Sequence, residues 1–277
     1  MEIVSLKTFK TVVDEGGVKS ASIALNTVPS NVSMRIQKLE NELDIKLFTL
    51  QGRKLELTPN GSLLYGYAQQ ILQLEYQART AILTNKGRSE LKIGTTETFA
   101  AVHLPYTLKQ LKKTHPHIAA KIHTATSANL ISAVLSNKID CAFVGIQVTH
   151  KNLISRPIIE EPLVLVEPAD QDYNPVMIVR DIGCGYRHAA LDWQQTAGRG
   201  SEEVMTMGSV EGVLGCIAAG LGYTVIGEGM LKNSRYEASL IARPATQHQE
   251  PFKISLIYQN DNPLAEDILA IATLFES

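Results

Sequence analysis

Residues 7–64 read KTFKTVVDEGGVKSASIALNTVPSNVSMRIQKLENELDIKLFTLQGRKLELTPNGSLL, and this stretch decides the architecture of the first part of the chain. Apolar residues recur at helical spacing over 6–13, and the glycines at 16–17 predict the end of that first helix. A second, short helix is predicted over 18–25, where small and apolar side chains fill two turns. Two short helices joined by a tight turn are typical of a helix-turn-helix unit.

The third helix of this stretch is amphipathic and opens on Pro29, which the first turn of a helix tolerates. One face carries an apolar stripe made of Val32, Ile36, Leu39 and Leu43. The other face carries polar, cationic and flexible side chains, namely Ser30, Asn31, Met34, Arg35 and Lys38. By itself such a face is more simply a solvated helix surface. It is also the surface that a recognition helix places in the major groove of DNA.

A predicted hairpin favours the second interpretation. Residues 48–57 read as two short strands around a glycine turn whose tip carries Arg53 and Lys54. A basic hairpin beside a recognition helix is typical of a wing, which lies over the DNA backbone or the minor groove. The fold class predicted for the N-terminal part is therefore a winged helix-turn-helix.

A long helix is predicted over residues 60–83. Its apolar side chains form a stripe that is wider than one small domain needs, comprising Leu63, Leu64, Tyr67, Ile71, Leu74, Ala78 and Ile82. Burial within one chain and pairing with a second copy both remain open from this pattern. The polar residues 85–90 read as a linker.

Strands alternate with helices from residue 91 onward, which predicts an α/β domain with ligands at the carboxyl ends of its strands. The candidate ligand contacts at the start of the helices are Thr96, Glu97, Thr98, Ser127 and Ser209. Tyr186 and Arg187 follow a later strand, where a phenol and a guanidinium suit hydrogen bonding and anion pairing. Each hydroxyl alone is more simply a helix cap, and Arg187 is equally well a surface ion-pair partner.

Composition narrows the class of protein. The 277 residues are 44% hydrophobic and 19% charged with a net charge of -2, which excludes a disordered chain, and no apolar run is long enough to span a bilayer. Residues 1–85 hold nine basic against eight acidic side chains, so DNA binding would depend on their placement rather than on bulk charge. The first residues lack the apolar run of an export signal, which predicts a cytoplasmic protein. The three cysteines and seven histidines show no metal-ligand spacing, so no metal or other cofactor is expected.

Residues 7–64 resemble the DNA-binding domain of the LysR-type transcriptional regulators along their whole length. The markers are Leu39–Glu40, the segment from Glu42 to Phe48, and Leu57–Thr58–Pro59 with Gly61. The sequence differs from the family pattern where an arginine usually follows the serine in the middle of the recognition helix, because Met34 stands there and Arg35 is displaced by one.

The C-terminal half resembles the LysR-type effector domain, whose two lobes are like those of periplasmic binding proteins. Its markers are residues 91–94, 104–105, 139–140 and 219–222. Four segments, at 28–40, 95–105, 183–193 and 209–222, are also similar to the subgroup that contains the putrescine-utilisation regulator.

The resemblance implies a sequence-specific regulator that binds promoter DNA, self-associates as a dimer or tetramer, and responds to a small metabolite; contact with RNA polymerase is left open. It implies a DNA-binding domain over 1–59, a dimerisation helix and linker over 60–90, and an effector domain over 91–277. Lobe one would comprise about 91–161 and 260–277, and lobe two about 162–259. The alternative function is that of a small-molecule binding protein of the substrate-binding type without DNA binding. An enzyme is not indicated, because the sequence shows no nucleophile elbow, P-loop or dinucleotide fingerprint.

The position of Glu97 indicates what kind of metabolite the effector domain would bind. A carboxylate among the threonines at 95, 96 and 98 favours a ligand with a cationic group, whereas Arg187 and the helix N-termini favour an acceptor-rich end. An amino acid or an amine-derived catabolite satisfies both, and a small carboxylate satisfies the second. Glu97 is equally well explained as an acid at the positive end of its own helix.

Overall fold

The computed structural model describes residues 1–51, 54–84, 89–170, 173, 175–232, 234–245 and 251–275. The chain divides into two compact units, Met1–Ile82 and Leu83–Ser277. None of the helices within the described residues is long and apolar enough to cross a membrane.

The first unit is built from helices and one hairpin. Its elements are α1 (Ile3–Asp14), α2 (Val18–Ala24), α3 (Pro29–Leu43), β1 (Phe48–Gln51), β2 (Lys54–Leu57) and α4 (Pro59–Thr84), whose end is counted with the second unit. Phe9 from α1, Leu39 from α3 and Ala68 from α4 are fully buried in one core. A fully buried Phe or Leu contributes about 1.5–3 kcal/mol, so these contacts fix the angle at which α3 presents its outer face.

Glu40 is the buried acid of this unit, and it joins α3 to the hairpin. One carboxylate oxygen accepts the backbone N–H of Leu47 at 2.9 Å, and the other accepts the ammonium of Lys46 at 2.7 Å. Burial raises the pKa of Glu40, but these hydrogen bonds outweigh burial and leave the pKa below its ordinary value of 4.5. The ionised carboxylate therefore stabilises the folded state.

We expect Glu40→Ala to lower the stability of the first unit by about 1–3 kcal/mol at pH 7, because the buried N–H of Leu47 loses its acceptor. The folded-state pKa of Glu40 is depressed, so its contribution is present above pH 4.5 and is lost as the pH falls below that value. Urea unfolding of parent and variant at pH 7 and at pH 3 measures this difference. The gap between the two proteins should narrow at pH 3, whereas Glu42→Ala, an exposed control, should unfold like the parent at both values.

The second unit alternates strands and helices and forms two lobes. In chain order its elements are β3 (Ser89–Thr95), α5 (Glu97–Val102), α6 (Leu104–Thr114), β4 (Ile118–Thr124), α7 (Ser127–Leu135), β5 (Cys141–Val144), β6 (Leu153–Glu161), β7 (Leu163–Pro168), β8 (Met177–Val179), α8 (Gly185–Thr196), β9 (Val204–Thr206), α9 (Val210–Ala218), β10 (Thr224–Gly227), β11 (Leu240–Pro244), β12 (Phe252–Gln259) and α10 (Ala265–Thr273). Short 3-10 turns lie at Glu228–Met230 and Glu237–Ser239.

A five-stranded sheet in the order β4-β3-β5-β12-β6 forms the first lobe. β3 is parallel to β4 and β5, and β12 is antiparallel to β5 and β6. The second lobe contains the antiparallel sheet β10-β7-β11 and the parallel pair β8-β9. The chain passes between the lobes twice, directly after β6 and again between β11 and β12.

The structure corrects two boundaries expected from the sequence. Residues 252–259 were assigned to the second lobe, but they form β12, which hydrogen-bonds to β5 and β6 in the first lobe. The chain therefore returns to lobe one by Phe252, not at 260. The effector domain was expected from residue 91, but β3 begins at Ser89, which pairs with Ile118.

Candidate functional site

The outer face of α3 carries the side chains that the sequence singled out for DNA. Ser30, Asn31, Met34 and Lys38 are exposed, and Arg35 is half-buried. Their positions follow from the apolar stripe on the opposite side of α3, which packs into the core of the first unit. Arg53 lies outside the described residues, and of Lys54 only its position at the start of β2 is described.

Two of these side chains already have protein partners. The ammonium of Lys38 lies 2.6 Å from a carboxylate oxygen of Glu2, and this hydrogen bond raises the pKa of Lys38. The amide of Asn31 donates to the hydroxyl of Thr27 at 3.2 Å. Both contacts are exposed, so DNA phosphates and bases would compete with them at little cost.

Helix starts in the second unit carry hydroxyl caps, but not all at the residues expected. Thr96 caps α5 by accepting the N–H of Phe99, and Ser209 caps α9 by accepting the N–H of Gly212. The cap of α7 is Thr126. Ser127 is fully buried, and its hydroxyl instead accepts the N–H of Gly145, which follows β5.

Arg180 directly follows β8 and pairs with Glu97 of the first lobe. Its Nη2 lies 2.6 Å from a carboxylate oxygen of Glu97, so one ion pair joins the two lobes. The Nε and Nη1 atoms of Arg180 are buried and have no hydrogen-bond partner among the described residues. Buried donors without acceptors are rare in folded proteins, and these two are available to donate to an acceptor-rich group.

Arg187, the arginine expected to bind an anion, is held by the protein. Its Nη1 donates to the carbonyl oxygen of Arg180 at 2.8 Å and to the hydroxyl of Thr206 at 2.9 Å. Arg187 therefore fixes the backbone at Arg180.

Thr98, Tyr186, Arg180 and Arg187 line a cavity of about 10 Å³, which is close to the space of one water molecule. Ser127 and Ser209 do not line this cavity. Three of the expected residues, Thr98, Tyr186 and Arg187, therefore line one cavity. Glu97 is linked to this cavity by its ion pair with Arg180.

The hydroxyl of Tyr186 is hydrogen-bonded to Glu161, the last residue of β6. Glu161 also accepts the N–H of Gly229 at 3.0 Å, and the Tyr186 ring stacks on Phe252 with ring centroids 4.0 Å apart. Burial, followed by the charge of Glu161, raises the pKa of Tyr186 well above its ordinary value. Tyr186 therefore stays a neutral phenol that orders the wall of the cavity.

The lobes also meet backbone to backbone. A Cβ atom at Gly185 would lie 1.9 Å from the carbonyl oxygen of Gly145, so this approach requires glycine at 185. A Cβ at Gly183, which has a φ of +88°, would lie 3.2 Å from the Thr126 hydroxyl. These approaches, with the Arg180–Glu97 pair, bring the two lobes into contact beside the small cavity at Arg180.

Comparison with known proteins places both units in one family. A model of the bacterial regulatory helix-turn-helix proteins of the lysR family matches residues 3–62, and a model of the LysR substrate binding domain matches residues 84–276. The chain belongs to the LysR family. It is accordingly a transcriptional regulator with a helix-turn-helix unit and an effector-binding domain.

Several HTH-type transcriptional regulators align over nearly the whole chain. The uncharacterized HTH-type transcriptional regulator YusT of Bacillus subtilis (strain 168) is 31% identical over 283 residues, which cover 100% of this chain and 95% of YusT. GltR of the same organism is 30% identical, with 99% and 95% covered. SoxR of Arthrobacter sp. (strain TE1826) is 33% identical, with 94% and 90% covered. These proteins are named as transcriptional regulators, not enzymes.

Solved LysR-type structures share the fold. A full-length variant of OxyR from Pseudomonas aeruginosa aligns with a TM-score of 0.69 at 18% identity, covering 100% of this chain and 95% of that one. CbnR, described as a LysR family transcriptional regulator, aligns with a TM-score of 0.62 at 17% identity and 100% coverage of both chains. The winged helix-turn-helix and the two-lobed α/β domain expected from the sequence are confirmed.

Two residues of this LysR-family site were missed from the sequence. Arg180 directly follows the strand that begins at Met177. Because ligands bind at the carboxyl ends of strands, a basic residue at this position was a signal that could have identified Arg180. Glu161 lies next to another acid, Glu160, and nothing in that pair indicates that only Glu161 is buried.

Proposed function

We propose that this regulator binds a zwitterionic metabolite between the two lobes of its effector domain. The ligand's carboxylate would accept hydrogen bonds from Nε and Nη1 of Arg180, and its cationic group would bind Glu97. The observation that supports this is the pair of buried donors on Arg180, which find no acceptor within the described part of the chain. An amino acid or an amine catabolite that keeps a carboxylate fits both groups, and a small carboxylate fits only the guanidinium.

A simple diamine is the less favoured ligand, because it would pair with Glu97 and leave the donors of Arg180 unsatisfied. The regulators found by comparison give no support to the narrower resemblance to putrescine-utilisation regulators. A thermal-shift panel of amino acids, diamines and dicarboxylates on the full chain tests the ligand class. Zwitterions should raise the melting temperature most, and a response to diamines alone would contradict the proposal.

The cavity beside Arg180 has room for about one water molecule, so it is too small for such a metabolite. The lobes would therefore separate to admit the ligand and close again on it, with Thr98 and Tyr186 at its sides. Arg187 would act as a positioning residue through its bond to the Arg180 carbonyl.

On the DNA side, we propose that α3 is the recognition helix and that its exposed face enters the major groove. Ser30, Asn31 and Arg35 would contact bases or phosphates, and Lys38 would leave Glu2 for a phosphate. Two copies, paired through α4, would read two half-sites of a promoter in the cytoplasm. Assembly of dimers into tetramers and contact with RNA polymerase are extensions of this scheme.

We expect Arg35→Ala to weaken specific DNA binding by about 1–3 kcal/mol, because an arginine on a recognition helix pairs with guanine or phosphate. Fluorescence anisotropy with duplex DNA from upstream of the protein's own gene, at fixed salt, measures the change. Arg79→Ala is the matched control, since Arg79 is an exposed arginine of α4 in an ion pair with Glu75. Equal affinity of Arg35→Ala and the parent would remove Arg35 from the interface.

A further inference from the structure

Met34 is the exposed apolar side chain in the middle of the α3 outer face. Its side chain is 60% exposed, whereas the opposite face of α3 packs into the core of the first unit. At about 100° per residue, Ser30, Met34 and Lys38 form one row that spans roughly 80° around the helix axis, and Met34 is its central member. Single exposed apolar residues are common on protein surfaces, so the position of Met34 matters more than its exposure.

Polar side chains surround Met34 on this face. Asn31 is hydrogen-bonded to Thr27, and Lys38 is paired with Glu2. These contacts give Asn31 and Lys38 partners within the protein, whereas the Met34 side chain is 60% exposed. Methionine is flexible and polarisable but offers no strong donor, so it does not bind the acceptor edge of guanine as arginine does.

Of the four bases, thymine presents an apolar group in the major groove, its 5-methyl. We propose that Met34 packs against a thymine methyl group in each half-site and is thereby a specificity-determining residue of this regulator. The inference rests on the proposed role of α3 as the recognition helix. The inference predicts that each half-site requires a thymine at the base pair that faces Met34, whereas an arginine at residue 34 would select guanine there.

The experiment removes the methyl group from the DNA without changing its hydrogen bonds. Duplexes that the full-length chain enriches from a randomised pool are resynthesised with deoxyuridine in place of thymidine, one position at a time. We expect one position in each half-site to lose about fourfold in affinity, the value for withdrawing one buried methyl-sized group. All other thymidines should tolerate the exchange.

The variant Met34→Ala should bind the unmodified duplex about as weakly as the parent binds the deoxyuridine duplex, and it should no longer distinguish the two. Val4→Ala is the matched control, because Val4 is an exposed apolar residue of α1 in the same unit. It should keep the parent's sensitivity to deoxyuridine. Matching melting temperatures of the three proteins check that each variant is folded.

The outcomes separate the inference from the function on which it rests. Enrichment of a sequence whose binding ignores every thymine methyl would overturn the inference and leave the proposed function standing. Methyl sensitivity that survives in Met34→Ala would assign the contact to another residue and also overturn it. A parent protein that enriches no sequence would contradict the proposed function together with the inference.

Discussion

Arg180→Ala should abolish the response to the effector at concentrations that saturate the parent. Truncating one member of a buried, charge-assisted hydrogen-bonded pair costs about 2–5 kcal/mol, which corresponds to a loss in affinity of roughly 30-fold to several thousandfold. The reason is specific to this side chain, since its Nε and Nη1 are donors that the described residues leave available for a carboxylate. Calorimetry with the best zwitterion from the thermal-shift panel measures the loss.

Two further variants make this result interpretable. Arg187→Ala removes a positioning bond rather than a ligand contact, so its loss in affinity should be well below that of Arg180→Ala. Arg243→Ala removes an exposed arginine of the second lobe and should bind like the parent. If Arg187→Ala proved the more damaging change, the anion would belong to Arg187, as the sequence suggested.

The second large effect is expected at Leu74, where Leu74→Glu should convert a dimer into monomers. Leu63, Tyr67 and Leu74 are all more than half exposed on the side of α4 that faces away from the core of the first unit, and Ile82 is exposed near the end of the helix. If two copies pair through this side, the carboxylate introduced by Leu74→Glu is buried in an apolar interface, which costs about 3–5 kcal/mol. Sedimentation should show the dissociation constant rising by more than about a hundredfold.

The control for this change is Ser62→Glu, which adds the same charge at an exposed position of α4, about 100° around the helix from Leu63. It should sediment like the parent. A parent protein that is monomeric at micromolar concentration, or a Leu74→Glu protein that remains dimeric, would refute pairing through this side of α4.

The local patterns of the first unit could be predicted because each one acts over a few residues. The alternation that buries Val32, Ile36 and Leu39 also exposes Met34, and both follow from a 3.6-residue period. The apolar stripe on α4 was predicted, but the partner of each of its residues was not. Leu64 packs on the core of the unit, whereas Leu63 is exposed. The sequence did not distinguish them, because a wide apolar stripe does not indicate which of its residues face the core and which remain available to a second copy.

The cleft could be predicted only in outline. Strand-to-helix turns identify an edge of a sheet, but they do not say which arginine points into the space between lobes. Arg180 and Arg187 are seven residues apart, and only the folded structure distinguishes them: Arg187 donates to the carbonyl of Arg180, whereas Arg180 pairs with the carboxylate of Glu97. The return of the chain to lobe one at Phe252 is likewise a matter of long-range pairing with β5 and β6, which no local pattern contains.

Contact between Gly145 and Gly185 has a consequence for the timing of the signal. A ligand that binds beside Arg180 needs the lobes to separate before it enters and again before it leaves, so opening limits both association and release. A larger fraction of time spent open, in both the free and the ligand-bound protein, raises both rates together. A side chain at 185 would prop the lobes apart, and we expect Gly185→Ala to exchange its effector faster and to answer a fall in metabolite concentration sooner.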